Sequence, residues 1–289
     1  MEIKKYFKLD SHLHIYTSWK DNLWEPGPRD LETFTREFSL RGLDSAALTN
    51  FNDDRYETFM ETGKNLPRDW DFKEYERGAI INLPDGKKFY WLKSQEIPTE
   101  QGHVLFTGVR KNNHIKPYRN IEEVFSDTED SIIIADHPLW IIPKGNPLGI
   151  GEKNLIKYSS KFHAAELNGS AWLLARHANP NLEKLAKEIN LPLIANSDAY
   201  GFTLPFIFGV APFLDIGKTY TEFERKDLQL EDIDSLIYSL KENIVEGKCK
   251  PHLKKNNPLT IFQHAFFTLG YSRLKKIGFN IKHHCDKEN

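Results

Sequence analysis

The chain has 289 residues, of which 39% are hydrophobic, so it can bury a core the size of a barrel domain. Its 39 basic and 41 acidic residues are interspersed along the chain. The sequence therefore has no cluster of basic residues that would indicate a long polyanion as a partner. Only Cys249 and Cys285 occur, which argues against a disulfide framework and favours the reducing cytoplasm. No apolar stretch has the length of a signal peptide or a membrane span, so no membrane association is expected.

The predicted elements alternate between strands and helices. Amphipathic patterns predict helices over residues 30–41, 179–189 and 231–246, and Asp85-Gly86 predicts the turn of a hairpin that precedes Glu96. Short apolar runs, each followed by a polar or turn segment, predict seven strands: FKLDSHLHI, LDSAALTN, YWLKSQEI, HVLFTGV, SIIIADHP, FHAAELNG and LPLIANSD. This order favours an α/β fold built on a parallel sheet or barrel.

Nothing in the sequence marks a domain boundary before about residue 250, where the alternation stops. We therefore expect one barrel domain over residues 1–250 and a C-terminal helical extension over residues 251–289. The stretch PLTIFQHAFFTLGYSRLKKIG has apolar residues at helical spacing, which favours a cap packed on the barrel. A lid or a dimer contact remains an alternative for this extension.

Residue types that bind metals stand at the ends of the apolar runs, in HLH, QEI, ADHP, ELNG and NSDAY. In a barrel these ends converge on one mouth. His12 and His14 alternate along a strand, so both face the same side and can bind one ion. Each residue alone also has a structural interpretation: a single histidine can serve packing, Asp198 can form a turn, and Glu166 can pair with a lysine.

The ordered set of motifs resembles the polymerase and histidinol phosphatase (PHP) superfamily of metal-dependent phosphoesterases. The resemblance covers about residues 9–247 and rests on DSHLH, GLDSAALTNFND, SQEIPTEQGHVLFTG, ADHP, FHAAELNGS and LPLIANSDAYG. It implies a distorted TIM-like (β/α)7 barrel with metal ions at its mouth. It also implies ligands for two ions: His12, His14, Glu96 and Asp198 for the first, and Glu96, His103 and His137 for the second.

Three departures from the superfamily pattern fall on the ligands of a third ion. Asn50 and Phe51 stand where the second motif has Asp-His, and Tyr200 stands where the last motif has histidine. Trp19 or Lys20 stands where an acid or histidine is expected after HLH. We therefore expect about two divalent ions per chain, for which zinc, manganese and iron are equally suitable.

The resemblance implies a phosphoric ester hydrolase in which a metal pair activates water for in-line attack. Glu96, Asp198 and Tyr200 are the expected catalytic residues. Lys20 and Arg176 are expected to bind the substrate phosphate in place of the third ion, and Tyr200 and Lys144 are alternative donors. A small phosphorylated molecule or nucleotide fits the charge balance better than nucleic acid. Two alternatives remain: a degenerate module that binds metal or ligand without catalysis, and hydrolysis of an amide or lactone.

Overall fold

The computed structural model describes residues 4–16, 29–50, 54–111, 113–127, 130–140, 148–169, 172–202 and 217–254, with the backbone alone at Tyr16, 172–176 and 200–202. In these segments the fold is mixed α/β. The part of the predicted C-terminal extension that follows Lys254 lies outside the described residues. The strands are β1 Tyr6–Tyr16, β2 Ser45–Asn50, β3 Asp71–Tyr75, β4 Gly78–Asn82, β5 Lys88–Thr99, β6 Gly102–Thr107, β7 Ile132–Ala135, β8 Ala164–Asn168, β9 Leu193–Asn196, β10 Ala199–Phe202, β11 Tyr220–Glu224 and β12 Cys249–His252.

All seven predicted strands are present, as β1, β2 and β5–β9. The three predicted helices are confirmed with small changes at their ends, except that the second begins earlier and contains Pro180. The hairpin at Asp85-Gly86 is confirmed between β4 and β5. The α-helices are α1 Asp30–Leu40, α2 Arg55–Glu61, α3 Ile121–Ser126, α4 Gly151–Lys157, α5 Trp172–Glu188 and α6 Ile233–Val245.

Nine strands form a nearly closed, barrel-shaped sheet in the order β12-β11-β1-β2-β5-β6-β7-β8-β9. β10 follows β9 in the chain and pairs in parallel with β1. The end of β9, the last strand of the path, therefore lies close to β1. Side chains also bridge the junction, because Asn196 Oδ1 accepts hydrogen bonds from the amide and hydroxyl of Ser11, at 2.9 and 2.7 Å. The strand ends that carry the candidate ligands therefore meet at one mouth.

The strand directions are mixed. β6 runs antiparallel to β5 and to β7, whereas β1, β2 and β5 are parallel to one another, as are β7, β8 and β9. The β3–β4 hairpin adds to β5 outside the nine-strand path. The architecture is thus a barrel-like α/β fold, and the expected repetition of seven βα units is not confirmed.

A β-bulge in β1 determines which of its side chains reach the mouth. From Asp10 to Leu13 this strand advances three residues, while its partner β2 advances two, from Ala46 to Leu48. One extra residue in β1 reverses the alternation of its faces. Leu9 is therefore buried in a hydrophobic core cluster with Ile134, Ile194 and Phe223, while His12 and His14 turn toward the acidic strand ends.

Apolar faces of the helices cover the sheet. α1 is amphipathic and buries Leu31, Phe34 and Phe38 against β2 and β5, where the indole of Trp91 is fully buried. The indole nitrogen of Trp91 donates to Thr35 Oγ1 at 2.8 Å, so its polar atom is satisfied. Within the described segments, none of the helices has the length and apolar character that a bilayer crossing requires.

Candidate metal centre

Four side chains converge at the end of β1. The Nε2 atoms of His12 and His14 lie 3.2 Å apart, and each lies within 3.3 Å of Glu96 Oε2. Asp198 Oδ1 completes the group at 3.6 Å from His12 Nε2 and 3.7 Å from His14 Nε2. Ligand atoms about 2.1 Å from a tetrahedral ion lie about 3.4 Å from one another, so these separations fit a single metal ion. We call these residues the first ligand set.

A second ligand set uses the other oxygen of the same glutamate. His103 Nδ1 contacts Glu96 Oε1, and His137 Nε2 lies 3.6 Å from this oxygen. Asp136 Oδ2 lies 3.2 Å from His137 Nε2, and all four residues are buried. His103 reaches the mouth because β6 is reversed, so the first residues of this strand lie beside the end of β5. Glu96 therefore joins the two sets.

Two of these residues have backbone conformations that side chains disfavour. His137 follows β7 with φ of 25°, and Asp198 follows β9 with φ of 45°. Left-handed conformations at residues other than glycine cost about 1–3 kcal/mol and cluster at functional sites. Hydrogen bonds hold both: the His137 amide donates to Glu166 Oε2, and the Asp198 amide donates to the carbonyl of His12.

Buried acids behind the first set orient it. Glu166 Oε1 lies 2.9 Å from His12 Nδ1 and can accept its proton, which leaves the lone pair on Nε2 for an ion. Asp10 Oδ1 accepts from the backbone amides of His12 and Ser197, and so ties β1 to the end of β9. Burial raises the pKa of the Asp10 carboxyl to about 7.

The electrostatics of the site depend on its buried opposite charges. Burial disfavours a charged imidazole, but Asp136 and Glu96 raise the pKa of His137 to about 9. The carboxylates of Asp136 and Glu166 likewise raise the pKa of His12, against the effect of burial. Burial also opposes ionisation of Glu96, yet the neighbouring imidazole of His103 holds its pKa well below the usual range.

The residues present fit divalent ions. Asp136 is fully buried, and neither of its oxygens accepts a hydrogen bond of good geometry, although His12 Nδ1 and His137 Nε2 approach within 3.3 Å. Buried carboxylates normally have hydrogen-bond partners or bind cations. Imidazole and carboxylate ligands in this mixture suit zinc, manganese or iron. The His/Asp/Glu clusters can therefore hold metal ions.

The structure brings together the six predicted ligands His12, His14, Glu96, His103, His137 and Asp198. Lys20, Lys144 and Phe51 lie outside the described residues, and so do the side chains of Arg176 and Tyr200. Trp140 stacks on the His137 ring, with the ring centroids 4.9 Å apart.

Asn50, which stands where the second motif of the superfamily has aspartate, has a structural role. Its Oδ1 accepts from the backbone amide of Tyr56, and its Nδ2 donates to Glu57. These bonds fix the start of α2. This side chain therefore joins β2 to the following helix, and the described metal-binding clusters do not include it.

Several polar residues that support the ligands were not predicted from the sequence. Asp136 belongs to ADHP, where only the histidine was expected to bind, and Glu166 contacts His12 rather than a lysine. Asn168 donates to Asp198 Oδ2 at 2.9 Å, and Asn196 donates to Glu166 Oε1 at 3.0 Å. Their positions at the ends of β8 and β9, in ELNG and ANSD, were the available signal.

Neither a family model nor a curated protein sequence matches this chain. Among solved structures it is similar to PsfC from Pseudomonas syringae PB-5123, with 16% sequence identity and a TM-score of 0.57. The match covers 94% of this chain and 100% of that chain. At this identity the likeness shows a shared fold.

Proposed function

We propose that this chain is a metal-dependent hydrolase of phosphoric esters, with the distorted (β/α)7 barrel and the two-ion centre of the PHP superfamily. One observation carries the proposal: Glu96 directs one oxygen to His12 and His14 and the other to His103 and His137. A carboxylate that joins two ligand sets suits the paired ions of phosphoester hydrolysis.

The chain's own residues divide the work of such a reaction. His12, His14, Glu96 and Asp198 would hold one ion, and Glu96, His103, Asp136 and His137 the other. When bound, the two ions would supply positive charge for the phosphoryl oxygens and acidify the attacking water.

The surroundings of the ligands favour this chemistry. With an ion bound, His12 would donate its Nδ1 proton to Glu166, which lies 2.9 Å away, and would offer the electron pair of Nε2 to the ion. Burial of both sets excludes bulk water and strengthens their charge interactions. We assign Tyr200 to catalysis beside Glu96 and Asp198, and Lys20 and Arg176 to the substrate phosphate, on the sequence pattern alone. A small phosphorylated molecule or nucleotide is the substrate class we propose.

Metal content and turnover test the proposal together. Protein purified without chelator or affinity-tag metal should contain about two manganese, zinc or iron ions per chain, measured by plasma mass spectrometry. The same protein should hydrolyse an aryl phosphate monoester or diester. His103→Ala and His137→Ala should each lower the metal content, whereas His114→Ala is the matched control because His114 contacts Gln95 outside both sets. Unchanged metal content in both site variants would contradict the ligand assignment.

Asn50 bonds to residues of α2, although it stands at a ligand position of the superfamily. This observation favours a second candidate function, that of a module that binds metal or ligand without catalysis. A chain that has lost one ligand position can retain its other ions and no longer hydrolyse esters. Two bound ions with no turnover across phosphate monoesters, diesters, amides and lactones would support this candidate. Turnover of an amide or lactone alone would identify a hydrolase of another bond.

A further inference from the structure

Glu166 lies where the two ligand sets meet, in the middle of β8, and is fully buried. Its Oε1 lies 2.9 Å from His12 Nδ1 and accepts from Asn196 Nδ2 at 3.0 Å. Its Oε2 accepts from the His137 amide at 3.1 Å and from Asn168 Nδ2 at 3.3 Å. One carboxylate thus contacts a ligand of the first set and the strained backbone of a ligand of the second.

Asn168 extends this network to another ligand. Its Nδ2 also donates to Asp198 Oδ2 at 2.9 Å, which leaves Oδ1 of that aspartate facing His12 and His14. Asn179 of α5 donates to the backbone carbonyl of Asn168 at 3.0 Å and so fixes the end of β8. Asn168 is fully buried. Its amide therefore contacts both Glu166 and Asp198 in a closed environment.

We propose that Glu166 and Asn168 are positioning residues that hold the ligands of both ions in place without binding either ion. The inference deepens the proposed function and rests on its metal centre. A carboxylate that accepts the Nδ1 proton fixes the tautomer and the ring direction of a metal-binding histidine. Because Glu166 also holds the His137 amide, one substitution at this position should weaken both ions.

The alternative role for Glu166 is that of a ligand, since it forms a His/Asp/Glu group with His12 and Asp136. A carboxylate has about four positions at which it can accept a hydrogen bond or bind an ion. In Glu166 four nitrogen contacts occupy them, two on each oxygen. Three of these contacts are amide N–H groups, which hold most of the lone pairs of the carboxylate and so favour the positioning role.

The test is titration of Co²⁺ into the metal-free full-length protein, followed by visible absorption. Glu166→Gln keeps the size of the side chain but places an NH₂ group against N–H donors. We expect about 10–100-fold weaker binding of both ions, as for other residues that orient metal ligands. Glu32→Gln is the matched control, because Glu32 is a buried glutamate whose partners are Arg29 and Arg36 of the α1 region.

Asn168→Ala is the second variant, and it introduces no new donor. It should weaken the first ion by about tenfold or more through Asp198. Asn243→Ala is its control, because Asn243 is a buried asparagine that bonds to the carbonyls of Asp227 and Ser239 away from the site. Circular dichroism and the urea midpoint of each pair separate loss of fold from loss of affinity.

Proton NMR of the cobalt-loaded protein gives a readout that a general packing defect does not change. A histidine that binds cobalt through Nε2 keeps an exchangeable Nδ1 proton, whose signal the ion shifts strongly. The Glu166→Gln substitution should broaden or remove the His12 signal. Wild-type cobalt binding with unchanged affinity and an unchanged signal in this variant overturns the inference but leaves the metal centre intact. Absence of cobalt binding by the wild type overturns both.

Discussion

Glu96 is the residue on which the candidate centre depends most, because its two oxygens face different pairs of histidines. A glutamine at this position would keep the shape but lose the charge that balances two cations. The cluster also contains Asp136, Glu166 and Asp198, all buried. Several carboxylates this close repel one another unless protons or cations are present. This concentration of buried carboxylates therefore favours a site that binds positive charge.

His163 provides a pH-dependent contribution to stability that is separate from the metal ligands. Its Nδ1 accepts from the Ile133 amide at 2.8 Å, and burial, together with the charge of Lys241, lowers its pKa to about 4. The imidazole is neutral in the fold. Its contribution is therefore complete above the unfolded pKa of about 6.5 and is lost as the pH falls toward 4.

The His163→Asn substitution tests this contribution, because Asn Oδ1 can accept from the same amide and does not titrate. We expect the free energy of unfolding of the wild type to fall by about 1–2 kcal/mol more than that of the variant between pH 7 and pH 4, after allowance for partial exposure of the ring. Urea denaturation at several pH values measures both proteins. Parallel pH profiles would refute the assignment.

At the scale of elements, the β5–β6 hairpin carries two residues of the second ligand set, Glu96 and His103. Gly102 begins β6 with φ of 126°, and a Cβ here would lie 2.5 Å from the carbonyl carbon of Gly149. The next residue, His103, donates its amide to the Leu148 carbonyl at 2.9 Å. Close approach of two backbone segments at two glycines thus fixes the strand end that carries a candidate ligand.

The Gly102→Ala substitution should disturb this approach. We expect a loss of about 2–4 kcal/mol in the free energy of unfolding, from the disfavoured φ and the clash with the backbone. Binding of the second ion should weaken as His103 shifts. Gly42→Ala is the matched control, because Gly42 has φ of 87° with no atom within 4 Å of the added Cβ. Thermal unfolding and metal titration compare the two, and equal losses would show that the close approach contributes nothing.

The sequence predicted the elements better than their directions. Apolar runs and turn residues were sufficient for seven strands and three helices, because burial sets these patterns locally. The reversal of β6 and the bulge in β1 depend on pairing with distant strands, so local patterns did not reveal them. The six expected ligands do lie together. Asp136, Glu166 and Asn168 were missed because their role depends on contacts between residues far apart in the chain.

For the whole molecule, bound ions should contribute directly to stability. Ions that bind the folded chain but not the unfolded chain stabilise it by about 2.7 kcal/mol per site at a free concentration of 100 times Kd. Added Mn²⁺ or Zn²⁺ should therefore raise the midpoint of thermal unfolding by several degrees, and EDTA should reverse the change. His14→Ala should reduce the response. A midpoint that does not respond to either ion would contradict the metal centre.

Closure of the barrel also has a consequence for the order of folding. Glu96 and His103 are separated by 7 positions, whereas Ser11 and Asn196, which join β1 to β9, are separated by 185. Contacts close in sequence form with less loss of chain entropy than distant ones. The second ligand set can therefore assemble while the chain is still open. The first set needs His12 beside Asp198, so it becomes complete only when the end of β9 reaches β1. Binding of its ion would therefore report closure of the barrel.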